Sequence, residues 1–247
     1  MKKQVAIAVL AGMSAVPSLA QASEWEFAFA PYVWAADTKG NTVTKGLPAN
    51  IDINFWDDVA PNLKAAFEFH FEAKNADQPI DYIVDATWLD MASSSYTPAG
   101  IKVRPELVTV ILDLKVAGDL GDIDGLQWVA GARYFQNDIS VKFTPPGVKG
   151  SVDEDWADLI VGLRYVGDLG NNWNYALGGD VGGFDLSANT DQTWQVSAAL
   201  GWKFAENAEA AFGYRVLDVD YSDGNGFSKY TYNVRMKGPM AGVIFYF

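Results

Sequence analysis

Residues 63–74 read LKAAFEFHFEAK. Leu63, Ala65, Phe67, Phe69, Phe71 and Ala73 hold the odd positions, while Lys64, Glu68, His70, Glu72 and Lys74 hold even ones. A helix would smear those charges around its surface. A strand sends successive side chains to opposite faces and separates the two sets completely. The stretch therefore reads as a β-strand with one wholly apolar face and one charged face.

The rhythm recurs along the chain. Trp25, Phe27 and Phe29 alternate with Glu24, Glu26 and Ala28. Ile80, Tyr82, Val84, Ala86 and Trp88 alternate with Asp81, Asp85 and Thr87, and Val108, Val110, Leu112 and Leu114 with Thr109, Asp113 and Lys115. Equivalent faces are Trp128, Ala130, Ala132 and Tyr134; Leu159, Val161, Leu163 and Tyr165; Trp173, Tyr175, Leu177 and Val181; Trp194, Val196, Ala198, Leu200 and Trp202; and Ala210, Phe212, Tyr214 and Val216. The last segment is irregular. Tyr230, Tyr232 and Val234 share one parity, but beyond Gly238-Pro239 the apolar set moves to Ala241, Val243, Phe245 and Phe247. A β-bulge at Gly238-Pro239 would reconcile the two. The expected fold is all-β: a transmembrane antiparallel up-and-down barrel of about ten strands, with eight or twelve as alternatives.

Composition agrees. The chain carries 9 Trp, 11 Tyr and 14 Phe, yet its mean hydropathy is −0.01. Beyond the N-terminal segment no apolar run approaches the ~20 residues of a transmembrane helix. A membrane barrel resolves the contrast, because only alternate residues meet lipid while aromatics collect at the interfaces. A soluble barrel or sandwich turns its apolar face inward instead; alternation alone does not separate the two, and the aromatics favour the membrane. With no cysteine there is no disulfide framework and no thiolate ligand or nucleophile. A net charge of −13 argues against a nucleic-acid partner, which demands a basic face.

The N-terminus reads as an address. Lys2 and Lys3 precede a short apolar run from Val5 to Val16, and Ala20-Gln21-Ala22 has the small-x-small form of a cleavage site. Residues 1–22 are expected to be a removed signal peptide, leaving 23–247 as one barrel domain that starts at Ser23. Links 75–79, 118–125, 167–172 and 205–207 are short. They alternate strictly with the mostly longer 37–62, 92–103, 138–155, 185–191 and 222–229, as periplasmic turns alternate with external loops.

The chain ends Val243-Ile-Phe-Tyr-Phe247. This resembles the C-terminal signal of Gram-negative outer-membrane proteins. The stretches Trp25–Trp34 and 178–184, with Thr193-Trp-Gln195, are similar to small outer-membrane barrel families of OmpA-like or porin-like type. The resemblance implies that Val243, Phe245 and Phe247 are recognised by the barrel-assembly machinery, with lipid and lipopolysaccharide as surroundings. It carries no catalytic residue, cofactor or metal.

The inward face is where chemistry would lie. Glu68, His70, Glu72, Asp81, Asp85, Asp113, Lys115, Arg133, Asp158, Arg164, Asp180, Lys203, Glu209 and Arg215 are expected to form a mutually neutralising network in the lumen, since a charge removed from water needs a partner. Setting neighbouring strands side by side places Asp85 opposite His70, Asp81 opposite Lys115, Arg133 near Asp158 and Lys203 opposite Glu209. A sharper reading makes Glu68, His70, Glu72 and Asp85 a divalent-metal or His–carboxylate site. Omptin-type proteases, however, pair an Asp–His couple with an Asp–Asp couple near the outer rim. This chain has no Asp-x-His, and Asp218-x-Asp220 alone does not supply that site. Outer-membrane phospholipases need a serine beside histidine, and Ser93, Ser94 and Ser95 are expected well above His70. Acidic external residues (Asp52, Asp57, Asp58, Asp218, Asp220, Asp223) read as a solvated surface or as sharers of the cations that bridge lipopolysaccharide. Glycines between 178 and 183 suit a strand interior rather than a dinucleotide loop. The expected function is a non-enzymatic barrel serving envelope integrity, surface interaction or narrow solute passage. A small channel and a His70-based hydrolase are the alternatives.

Overall fold

The computed structural model describes residues 25–44, 46–93, 95–96, 102–144, 147, 149–184 and 190–247; the expected signal peptide and Ser23 lie outside them. Thirteen strands follow in order: β1 (Trp25–Trp34), β2 (Asp37–Thr44), β3 (Leu47–Ile53), β4 (Leu63–Asn75), β5 (Asp81–Ala92), β6 (Ser95–Tyr96), β7 (Lys102–Asp119), β8 (Leu126–Thr144), β9 (Lys149–Gly170), β10 (Trp173–Gly183), β11 (Thr190–Ala205), β12 (Ala208–Asp223) and β13 (Tyr230–Tyr246). Ten form the closed antiparallel wall, β1-β4-β5-β7-β8-β9-β10-β11-β12-β13, and β13 pairs back onto β1. At that closure Phe27 and Phe247 exchange both backbone hydrogen bonds, 2.9 and 3.0 Å. β2 prolongs the line of β1 along β13, β3 lies outside β2, and β6 adds to β7.

The short links are tight turns at one end of the barrel. In one of them Asn171 and Asn172 take the left-handed conformation that suits a two-residue hairpin. The longer links differ from expectation. The segment 37–62 contains β2, β3 and two short helices (Phe55–Val59 and Ala60–Asn62), while β8 runs to Thr144 and β9 begins at Lys149. β9 has 22 residues. At ~3.4 Å each and a tilt of about 45° it stands roughly 50 Å tall, about twice the ~25 Å apolar band of such barrels. The tallest strands therefore extend far beyond any membrane they cross.

The outward belt is apolar. Phe67, Leu114, Leu159, Val161, Leu163, Leu200 and Phe212 all stand exposed on it. Aromatics mark both edges, with Tyr82, Trp128, Trp173 and Trp202 near the tight turns and Trp88, Tyr134 and Trp194 farther out. Just beyond the outer set the outward positions become Asp90, Gln136, Asp155 and Asp218.

The expected bulge at Gly238-Pro239 is absent. The β12–β13 register runs unbroken from Ala208 opposite Phe245 to Asp223 opposite Tyr230. Even-numbered β13 residues face inward throughout. The apolar parity changes because the surroundings of the strand change: Val243, Phe245 and Phe247 lie on the outward belt, whereas Tyr230, Tyr232, Val234 and Met236 fill the barrel interior. Gly238 has a separate reason. A Cβ there would collide with the Ala35 carbonyl, where the chain breaks between β1 and β2.

Candidate functional site

Three arginines organise the lumen. Arg133 on β8 grips Asp113 of neighbouring β7 with two hydrogen bonds of 2.7 and 2.8 Å and reaches Asp180 on β10 at 3.0 Å. Lys115 adds a contact to Asp113 at 3.1 Å. Arg164 on β9 crosses to β4, where it holds both Glu72 oxygens at 2.9 and 2.7 Å, and it also meets Asp81 at 2.9 Å and Gln127 at 2.6 Å. Arg215 on β12 crosses to Asp85 on β5 at 3.0 Å and donates to Gln195 at 2.7 Å, its guanidinium 4.6 Å from the Trp34 ring centre. Tyr32 donates to Asp85 at 3.0 Å and accepts from Arg215 at 3.2 Å. Paired and hydrogen-bonded in this way, the charges tolerate an interior that would be costly for each alone.

His70 joins the two crossings. Its Nδ1 lies 3.4 Å from Asp85 and its Nε2 3.5 Å from Glu72, and each of those carboxylates is already held by an arginine. Glu68 does something different. The β1–β4 ladder stops at Pro31 opposite Phe69, and Glu68 accepts the Trp34 amide at 2.6 Å, beyond the last β1 residue that pairs with β4.

Of the four expected placements, His70 opposite Asp85, Arg133 beside Asp158 and Lys203 opposite Glu209 hold in register, the last two without becoming ion pairs, and one differs. Lys115 stands opposite Ile83, and Asp81 opposite Ala117. Asp81 instead meets Arg164 and Gln127. The β5–β7 connection is a long one, at the end away from the tight turns, so no tight turn sets that register. Arg133 and Asp158 are opposite in register, but the guanidinium turns to Asp113 and Asp180, leaving Asp158 facing Thr190 and Trp156. Lys203 is opposite Glu209, yet Glu209 accepts from Asn174 at 2.7 Å and from the Tyr246 hydroxyl at 2.9 Å. Lys203 is exposed at the rim, 5.5 Å from the Tyr246 ring centre, where water hydrates its ammonium. Tyr32, Trp34, Gln127, Asn174, Gln195 and Tyr246 also belong to the network, and a search by charge does not find them. All share the inward parity, and that is the one signal able to find residues without charge.

Above the network the interior turns apolar. Trp34, Ile111, Phe135, Trp156, Leu217 and Val219 belong to one buried cluster with the tyrosines of β12 and β13. Trp156 stacks on Tyr221 at 4.2 Å and on Phe135 at 5.0 Å. At the opposite, tight-turn end lies a polar recess of about 280 Å³ lined by Glu26, Lys74, Asn75, Asp81, Asp119 and Gln127.

The acidic residues of the outer part are dispersed. Asp52 pairs with Lys39 at 2.9 Å, Asp58 accepts the Asn54 amide at 2.8 Å, and Asp218 is held by Arg235 at 2.6 Å on the outward face. Burial, then Asp191 and Asp218, push the Asp220 carboxyl above its ordinary range. Burial, then Asp223, Asp155 and Asp153, do the same to Glu154. Among the described residues no three acidic, histidine or cysteine side chains converge as metal ligands. Ser93 follows the outer end of β5, away from His70, and Ser94 lies outside the described residues.

No family model and no curated protein matches the chain. Solved structures do. The outer membrane protease OmpT from Escherichia coli superposes with a TM-score of 0.56 at 11% identity, covering 90% of this chain and 97% of that one. The translocator domain of the autotransporter NalP from Neisseria meningitidis gives 0.47 at 12% identity, covering 90% and 86%. Neisserial surface protein A gives 0.31 at 15%, covering 90% and 97%. At such identity the likeness to OmpT is one of fold: this chain has the closed architecture of outer-membrane β-barrels.

Proposed function

We propose that this protein is a sealed, non-enzymatic barrel of the outer membrane that anchors a projecting crown of hairpins at the cell surface. One observation carries the reading: the middle of the barrel is filled. Asp113, Arg133, Asp158, Leu217 and Val219 all face inward and are 0% exposed. Water passing along the lumen would wet some of them. The network and the apolar cluster above it are two successive stoppers, and a side-chain-filled interior is normal for a small barrel.

The outward apolar belt with aromatic edges supports immersion in lipid, with lipopolysaccharide around its outer end. Residues 1–22 would direct export. Val243, Phe245 and Phe247 face outward on the strand that closes the wall, which supports their reading as an assembly signal. Against a hydrolase stands the chemistry of His70: the carboxylates it faces are committed to Arg164 and Arg215. Asp218 points out of the barrel toward Arg235.

The deciding experiment is planar-bilayer recording of the refolded protein. The expected result is silence at moderate voltage, and reproducible conductance steps would overturn the sealed reading in favour of a channel.

A further inference from the structure

The outward wall is ridged by large side chains, but along β8 the ridge fails. Trp128, Ala130, Ala132 and Tyr134 succeed one another on the outward face, so between two aromatics the wall carries only methyl groups. Ala130 lies opposite Val116 on β7 and Val161 on β9, and Ala132 opposite Leu114 and Leu159. The larger neighbours stand above this floor. The result is an apolar trench of about 300 Å³ bordered by Tyr82, Val84, Leu114 and Val116, with Ala130 and Gly131 beneath. Gly131 itself has the inward parity of Arg133, so only its backbone lines the trench.

We propose that this trench binds one acyl chain of an inner-leaflet phospholipid, lying on the wall against Tyr82, Val84, Leu114, Val116 and Ala130. The inference rests on the reading of the barrel as membrane-embedded. An unfilled trench forfeits the dispersion contacts of every atom that lines it. Water is a poor filler, because the lining is apolar and a bound water needs two or more polar partners. Within a bilayer hydrocarbon is the material at hand. The inner leaflet follows from position: Ala130 lies near the tight-turn end of β8, which begins at Leu126 and runs outward to Thr144. A second copy of the chain fits less well. A stable protein contact takes about 800 Å² from each partner, and a twofold contact must be self-complementary, whereas this depression is one side chain deep between bulky ridges.

The test is native mass spectrometry of protein extracted from the outer membrane into mild detergent. Wild type is expected to retain a single phospholipid after activation that strips the remaining lipid. The double variant Ala130→Leu, Ala132→Leu fills the Ala130 floor of the trench and crowds its Leu114 border, and is expected to lose it. Ala198→Leu makes the same change on the outward face of β11, outside the trench, and is expected to keep it. Equal retention by the double variant, retention of lipopolysaccharide or a second copy instead, or loss of all lipid together from wild type would each overturn the proposal. If the double variant does not give the heat-modifiable folded form, back-titration of delipidated wild type with phosphatidylethanolamine decides alone. Saturation at one retained lipid supports the site, and a statistical spread of adducts defeats it. Recovery of the protein as a soluble periplasmic species would defeat the membrane reading itself.

Discussion

Arg215 and Leu217 sit two positions apart on β12, face the same way, and belong to opposite kinds of interior. The same change occurs around the barrel between Arg133 and Phe135, Asp113 and Ile111, and Asp158 and Trp156. Toward the tight turns the molecule is apolar outside and mainly polar inside, with one small buried apolar cluster of Ile83, Ala117 and Val129. Above that level it is apolar inside and polar outside. Strand geometry decides which residues share a face, and solvent decides which face must be apolar. The lower part is built for hydrocarbon outside, whereas the upper part is an ordinary sheet core in water. The two are continuous in register, so no bulge separates them.

The largest effect tests the lower interior. Arg133→Ala leaves Asp113 and Asp180 buried without their main partner. Removing one member of such a pair costs about 3–5 kcal/mol. Denaturant unfolding of the barrel in lipid vesicles measures it. A loss below about 1 kcal/mol would show that the wall's backbone ladders, rather than the ion network, hold this region. Leu217→Ala asks the same of the upper interior, where a large-to-small change in a close-packed core costs about 2–5 kcal/mol. Its effect should concentrate in hydrogen exchange of β12 beyond residue 216 and of β13 before residue 237. A uniform loss of protection over the barrel would mean that the two parts unfold as one unit.

The exterior separates them next. Phe69→Arg on the outward face should destabilise by about 2–4 kcal/mol, the midplane cost of a cation facing lipid. Phe69 packs against Phe67 and Phe29 with ring centres 5.3 and 5.8 Å apart. Asn233→Arg, outward on β13 above the aromatic edge, should fall within ±0.5 kcal/mol as an exposed substitution. Equal costs at the two positions would place both in the same medium and erase the boundary.

Much of the fold was legible because a period of two is local. Residues 63–74 need no distant partner to show their faces, and the ten-strand count followed from repeating that test. Three things were less accessible. The upper interior was hidden by its own consistency: Tyr230, Tyr232 and Val234 alternate as cleanly as a membrane strand, so an exchange of surroundings looked like a slip of phase. Register across the long β5–β7 connection was not fixed by any turn, which misplaced Asp81 and Lys115. Pairing in the lumen depends on reach across it, and that is a property of the closed barrel. Nothing near Arg164 in the chain names Glu72, which lies four strands away around the wall.

The smallest effect is a pH dependence confined to the upper part. Glu154 binds its proton more tightly in the folded crown than in the unfolded chain, because it is partly buried and faces Asp223, Asp155 and Asp153. Asp220 behaves alike beside Asp191 and Asp218. A carboxyl with a raised folded pKa is penalised when ionised. The penalty is in place above that pKa, shrinks as pH falls through it, and is gone below the unfolded value of about 4. The crown should therefore tighten as pH drops from neutrality toward 4, with slower hydrogen exchange in β8 and β9 after correction for intrinsic rates. Asp153→Asn should reproduce part of this at pH 7. Asp153 also lies directly opposite Asp138 on the outward face, and relieving one such like-charge pair is worth roughly 0.2–1 kcal/mol. Exchange that quickens on acidification, or an Asp153→Asn hairpin that exchanges faster than wild type, would show that these carboxylates are held by attractive partners and that the crown is not strained by its own charge.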